Sequence, residues 1–263
     1  MHPTSSTLLI CALSALAWMS LLYGVRRITR NAGVVDVGWA FGVGAFAVAL
    51  AITGTGEPWR RALLAVLAGG WSFRLGFYLL LDRVIGAQED GRYQALLASW
   101  GEHAERNLFL FYWVQAGFIV FFAIPFIPGV NYAEPAVTAW DVIGVCVWVA
   151  AVAGEALADR QLARWRANPD NRGKTCRDGL WRYSRHPNYF FEWVHWWAYV
   201  FLGFAGPWGW LTLAGPLAML LFLYRVTGIP YTEKQALKSR GDDYARYQQT
   251  TSAFFPWFPR HSV

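Results

Sequence analysis

Asn188, Glu192, His195 and Tyr199 fall at i, i+4, i+7 and i+11 in NYFFEWVHWWAY, so a helix there carries all four on one stripe. A charged side chain in so apolar a segment costs about 3 kcal/mol on insertion scales, and therefore faces a bundle interior or a cavity. Two more stripes share this character: Glu155, Asp159 and Arg166 at i, i+4 and i+11, and Arg74, Tyr78 and Asp82 at i, i+4 and i+8. Taken together they imply a polar cavity at one end of a helix bundle. Taken singly, each is also compatible with an interhelical salt bridge, for example Arg74 with Asp36 or Glu192. Between two of the stripes runs ADRQLARWRANPDNRGKTCRDGLWRYSRHPNY, with eight Lys or Arg over 158–187 against Asp159, Asp170 and Asp178. Such a segment attracts a multiply anionic ligand, because the planar guanidinium fork binds phosphate in a bidentate manner. The same excess also serves membrane topology and would hold anionic lipid.

Membrane helices must position these groups. Of the 263 residues, 56% are hydrophobic and only 15% charged, where soluble domains carry about a quarter charged. Aromatic residues reach 17%, with 16 Trp, a type that favours the membrane–water boundary. The composition excludes a soluble enzyme and predicts an all-α polytopic bundle forming a single integral domain over 1–263. Spans of roughly 20 apolar residues are predicted near 6–24, 33–53, 62–81, 108–129, 137–157, 188–206 and 207–226. Seven spans put twenty of the 23 Lys and Arg on one side, with Arg60 and Arg61 opposite and Arg74 inside a span. The positive-inside rule then places the amino terminus outside and the carboxyl terminus in the cytoplasm. No basic residue precedes the first apolar run, which reads as a retained span rather than a cleaved leader.

Other patterns carry less. Cys11, Cys146 and Cys176 are far apart and lack a paired spacing, and His186 and His195 have no partner at i+4, so neither a disulfide nor a metal site is expected. GVGAFA at 42–47 matches a dinucleotide string, but it lies inside a span with no preceding strand and reads as helix packing. Asp90, Arg92 and Tyr93 in QEDGRY read as a local ion-pair turn.

GLWRYSRHPNYFFEWVHWWAY, with ADRQLARWR before it and YARYQQTTSAFFPWFP after it, resembles the steroid 5-alpha-reductase-like membrane superfamily, most closely its bacterial branch. The resemblance is strongest over about 150–260 and traceable from WSFRLGFYLLLDR through EDGRY. It implies a seven-helix bundle with NADPH bound by the cytoplasmic ends of the helices in about 150–263. By motif, Asp159 and Arg166 match the family's cofactor-binding Asp and Arg, and Lys174 stands where the reductases have a phosphate-binding Arg. Asn188 and Glu192 match the family's Asn and Glu, Asp82 and Arg83 stand at its Asn-Arg, and Glu155 replaces an Asn. Arg185 and Tyr231 complete the implied cofactor set. The reductases' substrate-facing Gln-Glu pair is absent from the first 80 residues, and their Tyr corresponds to Trp71. Asp36 and Tyr78 are the nearest chemical substitutes as catalytic groups, with Trp39, Trp71, Arg74 and His195 lining the substrate side. The expected activity is NADPH-dependent reduction of a conjugated C=C bond in a steroid-like or other lipid, in a bacterial inner membrane. No nucleic-acid partner is expected. Isoprenylcysteine and phospholipid methyltransferases share the Arg-His-Pro element, so an S-adenosylmethionine-dependent methyltransferase is the alternative enzyme. A non-catalytic lipid-binding protein is the third reading.

Overall fold

The computed structural model describes residues 3–260 except Ala87 and Thr227, with side chains from Ser6 onward. Among those residues every element is helical. The chain divides into two units, Met1–Val137 with Gly203–Ala214, and Thr138–Leu202 with Gly215–Val263.

In the first unit, α1 (Pro3–Thr29), α2 (Val34–Thr53), α3 (Pro58–Leu79), α4 (Gly91–Trp100), α5 (Ala104–Ala123) and the single turn α6 (Ile127–Val130) follow in order. Helix α2 lies against α1, α3 and α5, and its glycines explain how. A Cβ on Gly44 would stand 2.1 Å from the Ser72 hydroxyl, and one on Gly42 would stand 2.5 Å from Ile119. Small residues let helix backbones approach where apolar lipid gives no hydrophobic drive. Ser72 uses the approach to donate to the Ala40 carbonyl at 2.8 Å. GVGAFA is therefore a packing string, as expected. Arg61 reaches back to the carbonyls of Ala51, Ile52 and Gly54 at 3.3, 3.2 and 3.0 Å, capping the negative end of α2. Arg60 is buried, donates to Glu134 and Ala136 carbonyls at 2.8 and 2.9 Å, and lies 4.3 and 4.4 Å from the rings of Trp59 and Tyr132.

The second unit contains α7 (Ala139–Ala167), α8 (Pro187–Gly203), α9 (Ala214–Leu221), α10 (Ile229–Arg240) and α11 (Asp242–Thr250). Thr138 and Asp141 form a capping box at the start of α7. Gly144 and Gly154 of α7 let Leu202 and Phe191 of α8 close in, since added Cβ atoms would meet them at 2.7 and 2.5 Å.

Among the described residues, six helical stretches are long and apolar enough to cross a membrane: Ser6–Thr29, Val34–Thr53, Pro58–Val84, Gly91–Val130, Ala139–Ala167 and Gly209–Arg240. The chain is an integral membrane protein. The expected span at 188–206 is α8, whose 17 residues measure about 25 Å, the short limit for a crossing. The expected span at 137–157 lies within α7, which runs on to Ala167 and so carries Glu155, Asp159 and Arg166 on one helix, as their spacing implied. The apolar run ends near 157, but Leu, Ala, Gln and Arg are good helix formers and carry the helix past the hydrocarbon.

Candidate functional site

The extension of α7 is where the basic groups gather. Arg166 on α7, Arg172 and Lys174 on the following loop, and Arg240 at the end of α10 line one cavity of about 400 Å³, together with Trp165 and Asn168. Local bonds shape the loop. Asn171 donates its amide to the Trp165 carbonyl at 3.0 Å, Asn168 accepts from Asp170 N–H at 3.0 Å, and Gly173 takes a left-handed φ of +79°. The loop is fastened to α11 through Asp243, which accepts from Thr175 N–H at 2.7 Å and from Arg177 at 2.8 Å. Burial would raise the Asp243 carboxyl, but the Thr175 hydrogen bonds and the Arg177 charge outweigh it and hold it below the usual range. None of the four lining cations makes an ion pair among the described residues. The buried indole nitrogen of Trp165 has no acceptor there either. The Cys176 thiol in the same wall is pushed up by burial, while the Arg240 and Arg166 charges pull it the other way.

Within the membrane part of the same unit the predicted stripes are real. Glu155, Asp159, Glu192 and His195 are all buried. The Asn188 amide donates to Asp159 at 3.2 Å, joining α8 to α7. Glu192 accepts from the Trp196 indole at 3.1 Å, and the His195 ring meets the Tyr199 hydroxyl at 2.8 Å. Tyr231 sits half-buried in α10.

Arg185 meets the chain's own tail. Its Nε donates to Glu233 at 2.7 Å, and Nη1 donates to the carbonyls of Gln248 and Thr251 at 3.0 and 2.5 Å. These bonds hold its guanidinium as a clasp on the tail. His186 joins the clasp, with Nε2 3.2 Å from Glu233 and its pKa lowered by burial against the pull of that carboxylate. Gln248 donates to the other Glu233 oxygen at 2.8 Å. Sequence reasoning missed Glu233 and Gln248. The one available signal was the polar tail itself, since an unaccompanied acid in YTEKQALKSR looks like ordinary surface.

The first unit contains a second charged cluster. Arg83 and Arg92 both donate to Asp36 Oδ2, at 2.5 and 3.1 Å, and the Tyr93 hydroxyl donates to Oδ1 at 2.7 Å. Arg92 also binds Asp90 at 2.9 Å, so the expected QEDGRY turn exists and extends to Asp36. Asp36, one of the two partners considered for Arg74, is held by Arg83, Arg92 and Tyr93. Asp82 beside Arg83 is exposed. Tyr78 packs with Trp39 against Val37, Ala40 and Leu79, the α2–α3 seam. Trp71 is fully buried and meets Trp39 edge-on at 6.2 Å, and Trp39 meets Phe122 at 5.4 Å. Arg74 lies half-buried on α3.

A family model described as a protein of unknown function (DUF1295) matches residues 22–251. No curated protein and no solved structure matches the chain.

Proposed function

The chain belongs to the DUF1295 family, a steroid 5-alpha-reductase-like membrane family, and from that premise we propose that it is an NADPH-dependent membrane reductase of a C=C bond conjugated to a carbonyl in a steroid-like or other lipid. One observation carries the reading: four cations without ion pairs and a buried indole N–H without an acceptor, among the described residues, surround a single cavity. Such donors suit a polyanion, and NADPH carries a pyrophosphate and a 2′-phosphate. S-adenosylmethionine carries neither.

Arg166 and Lys174 bind the phosphates in this reading, and Arg172 and Arg240 supply the remaining charge. Asp159 and Asn188, already joined, orient the polar end of the ligand along the stripe that continues through Glu155 and Glu192, with Tyr231 in the same set. The bound cofactor supplies a hydride to the β-carbon. Tyr78 donates the proton that completes the saturated product, and Asp36 keeps Arg83, Arg92 and Tyr93 in place. Trp39, Trp71 and Arg74 of the first unit and His195 of the second are assigned to the lipid substrate in this reading, since exclusion of water strengthens each polar contact. Helix α8 crosses as the seventh span, which sets the amino terminus outside and the phosphate cavity at the cytoplasmic face of a bacterial inner membrane.

The test is thermal unfolding of the detergent-solubilised protein with each nucleotide. A ligand bound only by the folded state at a hundredfold excess over Kd adds about 2.7 kcal/mol. NADPH is expected to raise the melting temperature and S-adenosylmethionine to leave it unchanged. Stabilisation by S-adenosylmethionine alone would establish the methyltransferase instead, and no response to either would leave lipid binding.

A further inference from the structure

A second basic surface lies in the same unit, beside the C-terminal tail. Arg177, Arg182 and Arg260 line a groove of about 680 Å³ with Asp178, Thr250, Thr251 and Phe258. Arg177 is neutralised by Asp243 at 2.8 Å, while Arg182 and Arg260 make no ion pair among the described residues. Among the described residues Asp178 is the one carboxylate in the lining, so the groove stays positive. Phe258 is part of that lining, and Phe255 and Trp257 precede it on the same tail segment; the three are 75%, 51% and 71% exposed.

These rings are fixed, not loose. Phe254 is buried and packs on Tyr224 and Trp193 at 5.2 and 5.9 Å. Trp257 N–H donates to the Tyr183 carbonyl at 2.9 Å and Arg260 N–H to Thr250 at 2.8 Å, while Phe258 meets Tyr183 edge-on at 6.0 Å. Pro256 and Pro259 keep the segment out of a helix. The tail therefore presents three large apolar rings to its surroundings, in the same unit as two arginines that have no acid of their own among the described residues. Aromatic rings next to cations are the composition of a membrane interface, where rings sit at headgroup depth and arginine meets phosphate. The protein already spans a bilayer, and Leu217 and Leu221 of α9 in the same unit are 63% and 57% exposed, as lipid-facing side chains are.

We propose that this groove binds the headgroup of an anionic phospholipid, with Arg182 and Arg260 on the phosphate and Phe255, Trp257 and Phe258 in the acyl–headgroup boundary. The site is separate from the cavity of Arg166, Arg172, Lys174 and Arg240, and does not depend on the reductase reading.

The experiment uses the full-length protein in micelles, titrated with phosphatidylglycerol or phosphatidylcholine, with melting temperature and lipid retention in native mass spectrometry as readouts. Phosphatidylglycerol should raise the melting temperature more than phosphatidylcholine does, and added salt should shrink that difference. In the double variant Arg182→Gln, Arg260→Gln the difference should vanish, with apparent affinity weaker by on the order of fivefold per arginine. The same loss should not follow from Arg166→Gln with Lys174→Gln. Equal stabilisation of wild type by the two lipids overturns the proposal, as does an equal effect from inorganic phosphate. A loss of the difference through the Arg166 and Lys174 pair would put the lipid in the other cavity and also overturn it. Should the double variant fail to fold, the lipid comparison and its salt dependence on wild type decide the matter alone.

Discussion

Around Asp36, two arginines converge on one carboxylate oxygen, a tyrosine hydroxyl occupies the other, and Asp90 takes more of Arg92. Around Arg166, four cations line one cavity and no acid pairs with any of them among the described residues. Both clusters use the same side chains near helix ends, yet one is closed upon itself and the other is open. The closed cluster gains its stability from internal partners, so losing a member leaves another charge unmatched. The open cluster repels itself and gains only when an anion arrives. Arginine content alone, then, says little about function; the presence or absence of local acids says more.

Breaking the closed cluster should give the largest effect. Asp36→Asn leaves Arg83 and Arg92 short of their carboxylate and should destabilise the protein by about 2–3 kcal/mol, read as a lowered melting temperature. A variant as stable as wild type would show that the closure is not structural, and the contrast would collapse. Opposite behaviour is expected of the open cluster. Arg166→Ala or Lys174→Ala should weaken NADPH binding about tenfold or more in a direct binding titration. Without nucleotide, either variant should melt at or slightly above the wild-type temperature. NADH should suffer less if the lost contact is to the 2′-phosphate.

A pH series sharpens the same contrast. The Asp243 carboxyl lies below its ordinary value in the folded protein, so its contribution is complete above an unfolded pKa of about 3.9. That contribution is lost as pH falls through the lower folded value. Melting curves carried from about pH 5 down to about pH 2 should fall more steeply below about pH 4 for wild type than for Asp243→Asn. Parallel curves would mean that the tie to Thr175 and Arg177 does not support the cavity wall. The smallest effect belongs to Tyr93→Phe, which removes one hydroxyl from Asp36 and should cost about 1 kcal/mol. A larger loss than that of Asp36→Asn would reverse the hierarchy assigned to the closed cluster.

Helix positions were legible wherever long apolar runs set them, as for Val34–Thr53, and the packing role of GVGAFA followed from its place inside such a run. The buried stripe of Glu192 and His195 was legible because helical periodicity alone puts them together. The stripe of Glu155, Asp159 and Arg166 likewise carried α7 past its apolar run into ADRQLARWRA, where helix propensity outlasts hydrophobicity. Pairings between distant segments were not legible. Nothing local distinguishes Arg83 as the partner of Asp36 from Arg74, because both lie on α3 or its extension and only the three-dimensional register chooses between them. Arg240 gave no signal either, as it closes a surface helix whose packing decides which way it faces.

The clasp of Arg185, His186 and Ser184 on the tail has a consequence for the order in which the protein can be made. Ser184 donates to the Phe254 carbonyl across 70 positions of chain, and Arg185 reaches Thr251 across 66. The tail segment that closes the second unit follows its helices in chain order, so those helices enter the membrane before their polar ends can be gathered. Domains fold as their parts emerge, and this unit closes only once Thr251 and Phe254 have followed. Changes confined to that tail segment would therefore be felt at Ser184 and Arg185, far upstream in sequence, while leaving every apolar span intact.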